Sequence, residues 1–279
     1  MKKSLIFVII GVAVVGFGLL VFFGIRGARG VPVTVAEKPK PRLEVSFVDK
    51  QVDLSKGIEQ AFWNSRTPLQ VDLLYQVLVL PWPRKNVPSV TVKAFHNKKD
   101  IYFYMQWQDD TEDTLIDINR FSDAGAVMFP LKEDTPPSTL MMGFMGSANI
   151  WQWKATQDKE FWTGEREERK AYVDFYYPFE KEELFGVSKD EVISAVNDLL
   201  AVRVATVTLK PIQNLAGRGA YENGIWTIVF RRALQTEDPE ADAQFDNQLS
   251  LCAFAVWNGS KGDRGGRKSI SDWVELSIQ

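Results

Sequence analysis

The chain has 279 residues, 45% of them hydrophobic and 12% aromatic, enough apolar side chain to bury a full core without a disulfide or a metal. Its net charge of -3 arises from 33 basic and 36 acidic residues spread along the chain, so no basic stripe invites nucleic acid. A single cysteine, Cys252, and a single histidine, His96, exclude a disulfide, a thiolate-held iron–sulfur cluster or zinc, covalent CxxCH haem and bis-histidine haem.

Residues 5–25 are apolar and uncharged, between Lys2-Lys3 and Arg26 with Arg29. At 1.5 Å per residue a helix of that length spans about 30 Å, the thickness of the hydrocarbon core. A secretory signal has a shorter apolar region of about 7–15 residues. Residues 1–29 therefore read as a single-pass transmembrane anchor. The small residues around Ala28-Arg29-Gly30 leave a cleaved signal as the alternative. Lys2 and Lys3 favour an inside amino terminus, which puts the remainder on the periplasmic, extracytoplasmic side of the cell membrane. Residues 30–42, with Pro32, Pro39 and Pro41 among charges, read as a linker to a globular domain over 43–279.

Strand signals dominate that domain. They fall at residues 70–80 and 89–95, then at 101–107 after the turn His96-Asn97-Lys98-Lys99, a strong hairpin signal that places His96 in a solvent-facing turn. Further strands are expected at 124–129, 149–155, 171–177, 200–208, 225–231, 248–257 and 269–278. Short strands separated by Gly, Pro, Asn and Asp predict a mainly β protein, an antiparallel β-sandwich or barrel. Helical pattern is confined to 189–199, capped by Ser188, and to 179–185, and both fall in a small helical insertion at about 165–211.

Enzyme signatures are absent from the sequence. Gly217-Arg218-Gly219 lacks the third glycine and the strand-to-helix order of a phosphate loop. Asp109-Asp110-Thr111-Glu112-Asp113 lacks calcium-loop spacing and reads as a solvated turn. Cys252, in the apolar run 251–256, reads as a buried thiol. Two segments are unusual. In Leu140-Met141-Met142-Gly143-Phe144-Met145-Gly146 three methionines stand beside two glycines, where glycine weakens a strand unless something approaches the backbone closely. In Trp257-Asn258-Gly259-Ser260-Lys261-Gly262-Asp263-Arg264-Gly265-Gly266-Arg267-Lys268-Ser269 a glycine-rich basic loop joins two apolar strands. Taken alone, the first also reads as core methionine and the second as a solvated hairpin.

Together these stretches resemble the haem b (gamma) subunits of the type II dimethyl sulfoxide reductase family, as in ethylbenzene, dimethyl sulfide, selenate, chlorate and nitrate enzymes. The matching pieces run in order from about residue 71 to the C-terminus, interrupted by the expected insertion. They are 92–97 leading to Trp107-Gln108-Asp109, Asp123-Ala124 with Phe129-Pro130, Phe144-Met145-Gly146 with 149–154, Gly224-Ile225-Trp226 with Phe230-Arg231-Arg232, and 254–259 with 266–271. The resemblance implies a β-sandwich holding one noncovalent haem b, with Met145 and Lys268 as axial ligands of the iron. Met141, Met142 and Met128 are substitutes for Met145 in a different register. It implies electron transfer without catalysis by this chain. The implied partners are a molybdopterin catalytic subunit and an iron–sulfur subunit, with a cytochrome c or quinone as external redox partner. A second reading, from another class, is an anchored carbohydrate- or peptide-binding module without haem, with Trp82, Trp151, Trp153 and Trp257 as exposed stacking platforms.

Overall fold

A computed structural model describes residues 39–76, 86–116, 120–131, 147–165, 192–202, 206–245 and 250–279. The anchor over 1–29, the strand expected at 171–177, the helix expected at 179–185, Trp82, and the methionines Met141, Met142 and Met145 lie outside the described residues. No helix among the described residues is long and apolar enough to cross a membrane.

The protein is mainly β. In chain order the strands are β1 (Arg42–Phe47), β2 (Leu69–Asp72), β3 (Leu74–Tyr75), β4 (Ser89–His96), β5 (Asp100–Gln108), β6 (Ala124–Pro130), β7 (Ala148–Lys154), β8 (Val196–Ala201), β9 (Val207–Leu209), β10 (Ala216–Glu222), β11 (Ile225–Ala233), β12 (Ser250–Trp257), β13 (Ser269–Ile270) and β14 (Val274–Ile278). Two α-helices are described, α1 (Gln60–Asn64) and α2 (Ala155–Thr163). The first layer runs β10-β11-β5-β4-β1-β14, with β2 on β4, and the second runs β12-β6-β7-β8-β9, with β13 and β3 beyond β12. One strand joins them: Ser250 to Cys252 of β12 pair with β14, and from Ala253 onward β12 pairs with β6. The sandwich expectation of antiparallel strands holds except at β1, which runs parallel to both β14 and β4.

The two layers meet through alternate residues. Ile101, Phe103, Met105 and Trp107 of β5 are buried in one core with Val127 and Phe129 of β6 and Trp151 and Trp153 of β7. Aromatic rings close the gap, Phe103 on Phe129 at 5.4 Å and Trp107 on Trp153 at 6.3 Å between centroids. On the back of the first layer α1 seats Trp63 against Phe95 and Tyr104. The β4–β5 hairpin turns where expected, with Lys98 at a φ of 73°. His96 is not solvent-facing, however. It ends β4 only 8% exposed, its Nε2 within 2.7 Å of the Gln279 carbonyl, because the parallel strand β1 covers it.

Around 192–209 the expectations hold only in part. Residues 196–199, expected as the end of a helix over 189–199, are strand and with 200–201 form β8, paired with β7 from Val196 opposite Trp153 to Ala201 opposite Ala148. The apparent 3.6-residue spacing there fits two-residue alternation equally well, and the free edge of β7 decides between them. The strand expected at 200–208 is two elements, the end of β8 and β9, which turn back on one another. The helix α2 is not foreshadowed in the sequence, where only its first residue, Ala155, falls at the end of the strand expected over 149–155. It opens at Ala155, and Gly164, in the left-handed region at a φ of 72°, closes it with its N–H on the Glu160 carbonyl.

Candidate functional site

The back face of the second layer is buried and unusual in composition. Along β6 the residues that alternate away from the sandwich core are Ala124, Ala126 and Met128, and along β12 they are Ala253, Ala255 and Trp257. Ala148 and Ile150 of β7 extend the same face. Five alanines on three neighbouring strands leave a flat apolar floor, with Trp257, Ile270 and Trp273 as its bulky boundary. Such a floor admits a planar apolar group closely, where Val or Leu would fill the space.

Lys268 stands at the Trp257 end of this floor. Its backbone is fixed at the start of β13: Ser269 pairs with Val256 and with Tyr75, and the Lys268 carbonyl accepts the Gln76 N–H at 2.9 Å. Its side chain is 9% exposed, and Nζ lies 4.7 Å from the centre of the Trp257 ring. Among the described residues no carboxylate pairs with it. Burial alone pushes the amine down from the usual lysine range to about 8. A lysine in that state is readily available as free base, the form a metal ion requires. Met128, the described member of the substitute methionines, shares the floor. It stands opposite Ala253, four residues along β6 from Ala124, which faces Trp257. That is about 13 Å along the strand from Ala124.

The glycine-rich loop before Lys268 is not a solvated hairpin at its base. Asn258 is buried and donates from Nδ2 to Asp109 at 2.8 Å, while its N–H reaches Asp263 at 3.1 Å. The Gly259 N–H donates to Asp123 at 2.8 Å, and Asp123 also accepts the Trp226 indole N–H at 2.9 Å and the Asp113 N–H at 2.8 Å. Asp109, expected in a solvated turn, is 3% exposed. Burial pushes Asp109 up to about 6 and Asp263 to about 6, and burial with the neighbouring Asp109 charge pushes Asp123 to about 7. These residues lay in the motif pieces read from the sequence. Their convergence did not, because the pieces are separated by up to 150 residues and only the sandwich brings them together.

A second buried network lies at the other end of β7. The Asn149 Oδ1 accepts the Trp151 indole N–H and an Arg232 N–H, both at 2.9 Å, and Nδ2 donates to Asp198 at 2.6 Å. Arg232 stacks on Trp151 and pairs with Asp242, which also holds Lys210. This is a paired and hydrogen-bonded set, as buried charges require. Trp151 and Trp153 are fully buried and Trp257 is 5% exposed, so these three indoles are not exposed stacking platforms. They pack the core and the floor because they alternate inward on β7 and onto the floor on β12.

The pattern described as Ethylbenzene dehydrogenase matches residues 60–269. A putative respiratory nitrate reductase heme subunit of Haloferax mediterranei is 27% identical over 247 residues, covering 88% of this chain and 76% of that protein. The gamma subunits of chlorate reductase from Ideonella dechloratans and of dimethylsulfide dehydrogenase from Rhodovulum sulfidophilum are each 21% identical over 67% of this chain. The chain spans 64% and 59% of their respective lengths. A family 9 carbohydrate-binding module from Caldicellulosiruptor kristjanssonii aligns over 85% of this chain and 95% of its own at 9% identity with a TM-score of 0.45, a likeness too slight to bear on function. The match over 60–269, which takes in the floor, the buried aspartates and Lys268, shows that the chain belongs to the ethylbenzene dehydrogenase family of haem gamma subunits.

Proposed function

We propose that this chain is the haem b electron-transfer subunit of a membrane-associated molybdopterin oxidoreductase complex, with Lys268 and Met145 as axial ligands of one noncovalent haem. The observation that carries the reading is Lys268, an amine buried beside a flat alanine floor with no carboxylate partner among the described residues. Proteins seldom bury a lysine without an anion, since the charged form loses its hydration. A buried amine that titrates near 8 is instead suited to donate a lone pair.

Haem supplies one-electron chemistry when bound. The residues of this chain would do the rest: the floor would exclude water from the bound group, Lys268 would offer its free base as one ligand, and the Met145 thioether, as the other, would favour the reduced metal. With Lys268 and Met145 as its two side-chain ligands the metal would have no place for oxygen or substrate, and in this reading the chain is a relay and not a catalyst. The relatives named as a heme subunit and as gamma subunits support an assembly. In this reading an iron–sulfur subunit passes electrons between the chain and a molybdopterin catalytic subunit, and a cytochrome c or quinone is the external partner. The uncharged stretch 5–25 holds the domain on the periplasmic face of the membrane.

The test is a pair of visible spectra of the full chain produced with haem available. Low-spin b-type bands that sharpen on reduction are expected at about one haem per chain. A colourless protein overturns the reading.

A further inference from the structure

We propose that Asn258 and Asp123, which hold the base of its loop, are positioning residues that set where Lys268 presents its Nζ. The inference rests on the reading of Lys268 as an iron ligand, but its geometry stands on the protein alone.

Four of the separated sequence pieces converge on the first residues of the lysine loop. Asp109 comes from the end of β5, Asp123 from the residue before β6, Trp226 from β11, and Asn258 with Gly259 from the end of β12. Asn258 uses every polar group it has. Its amide donates to Asp109, its Oδ1 accepts the Lys261 N–H at 3.0 Å and the Ser260 hydroxyl at 2.8 Å, and its backbone exchanges bonds with Asp263. Asp123 holds the next residue, Gly259, and is itself fixed by Trp226 and Asp113. The approach is close. A Cβ on Gly259 would stand 1.9 Å from the Phe121 carbonyl oxygen, so only glycine lets the loop sit this near the β6 entrance.

From this anchored base the order runs without a break to Lys268. The turn over 259–261 closes with the Gly262 N–H on the Gly259 carbonyl, and Asp263 returns to Asn258. Arg264 and Arg267 then exchange backbone bonds at 3.1 and 2.9 Å around Gly265-Gly266, and the Trp257 indole N–H ties the Gly265 carbonyl down at 2.9 Å. Each turn of the loop is therefore closed by its own bonds and tied back to the end of β12, the first through Asn258 and the second through Trp257. A ligand carried on a loop reaches a metal with a repeatable geometry only when the loop is fixed in this way. The buried carboxylates are explained by the same role: they accept the N–H groups that a glycine-rich loop leaves unpaired.

Two variants of the full chain test the proposal, Asn258→Ala and Gly259→Ala, the first deleting bonds and the second pushing the loop base off its seat. In haem-free protein, the rate of lysine acetylation at Lys268, read by mass spectrometry against Lys261 and Lys98, is expected to rise about tenfold or more as the loop opens. In haem-loaded protein each variant is expected to show a high-spin fraction that the native chain lacks, at unchanged circular dichroism. A folded Asn258→Ala protein with native labelling and a native low-spin spectrum overturns the proposal. If Gly259→Ala fails to fold, Asn258→Ala decides alone. Lys268→Ala separates the two ideas. An unchanged spectrum in that variant defeats the ligand assignment, while the labelling result still judges the positioning role.

Discussion

The amine of Lys268 lies over the indole of Trp257, 4.7 Å from the ring centre, and the same indole donates to the Gly265 carbonyl three residues upstream. The ring thus supports the amine with one part and restrains its loop with another. Replacing Lys268 by alanine is expected to convert the haem from six-coordinate low-spin toward five-coordinate high-spin and to weaken its retention. Lys261, Arg264 and Arg267 share the loop and the charge, so their alanine variants are expected to keep the low-spin spectrum. Optical and electron paramagnetic resonance spectra of the four variants measure this.

Met145→Ala is expected to produce the same spin change from the opposite side and also to lower the reduction potential, because the thioether favours ferrous iron. Redox titration of the variant against the native chain measures the shift. Should Met141→Ala or Met142→Ala move the potential and Met145→Ala leave it, the register of the methionine segment is displaced. Should Met128→Ala do so, the ligand comes from the floor itself.

Haem-free Lys268→Leu protein is expected to be more stable than the native chain at pH 7, by roughly 3 kcal/mol at most. The fold prefers the neutral amine, whose pKa falls from 10.5 to about 8. The penalty for holding it charged is therefore full below about 8, shrinks as pH rises from there, and is gone above 10.5. Denaturant midpoints of the two proteins at pH 7 and at pH 10 check both the sign and its decline.

Five buried aspartates act in the opposite pH range. Asp109, Asp158, Asp198 and Asp263 are pushed to about 6 and Asp123 to about 7, chiefly by burial, from an ordinary 3.8. A carboxylate with a raised native pKa binds its proton in the folded state first, so lowering pH through that range stabilises the fold. Thermal unfolding of the haem-free protein is expected to shift upward between pH 8 and pH 5. A melting temperature that instead falls steadily over that interval contradicts the assignment.

Gly219→Ala is expected to destabilise the sandwich by about 1–3 kcal/mol. Its new Cβ would stand 2.1 Å from the Trp153 ring, and Trp153 cannot yield because Asp158 accepts its indole N–H at 2.7 Å. The Gly219 N–H donates to that same carboxylate at 2.8 Å, so a displaced strand loses a buried bond as well. Equilibrium urea unfolding measures the loss.

Much of this protein follows from the sequence because its signals are local. Alternation of apolar residues marks β4, β5, β6, β11 and β12, and a lone histidine and a lone cysteine remove the common metal and haem ligands. The ordered motif pieces carried the family. Tertiary structure decided what spacing leaves open. Residues 196–201 are strand because β7 offers them an unpaired edge, and β1 is parallel because it fits between β4 and β14. His96 is buried because β1 covers it, and Asp109 leaves solvent because Asn258, 149 positions later, turns its amide toward it. Hydrophobic periodicity records which face of a strand is buried, but not which strand lies beside it. That choice, made by long-range packing, is what brings Asp109, Asp123, Trp226 and Asn258 under the loop that carries Lys268.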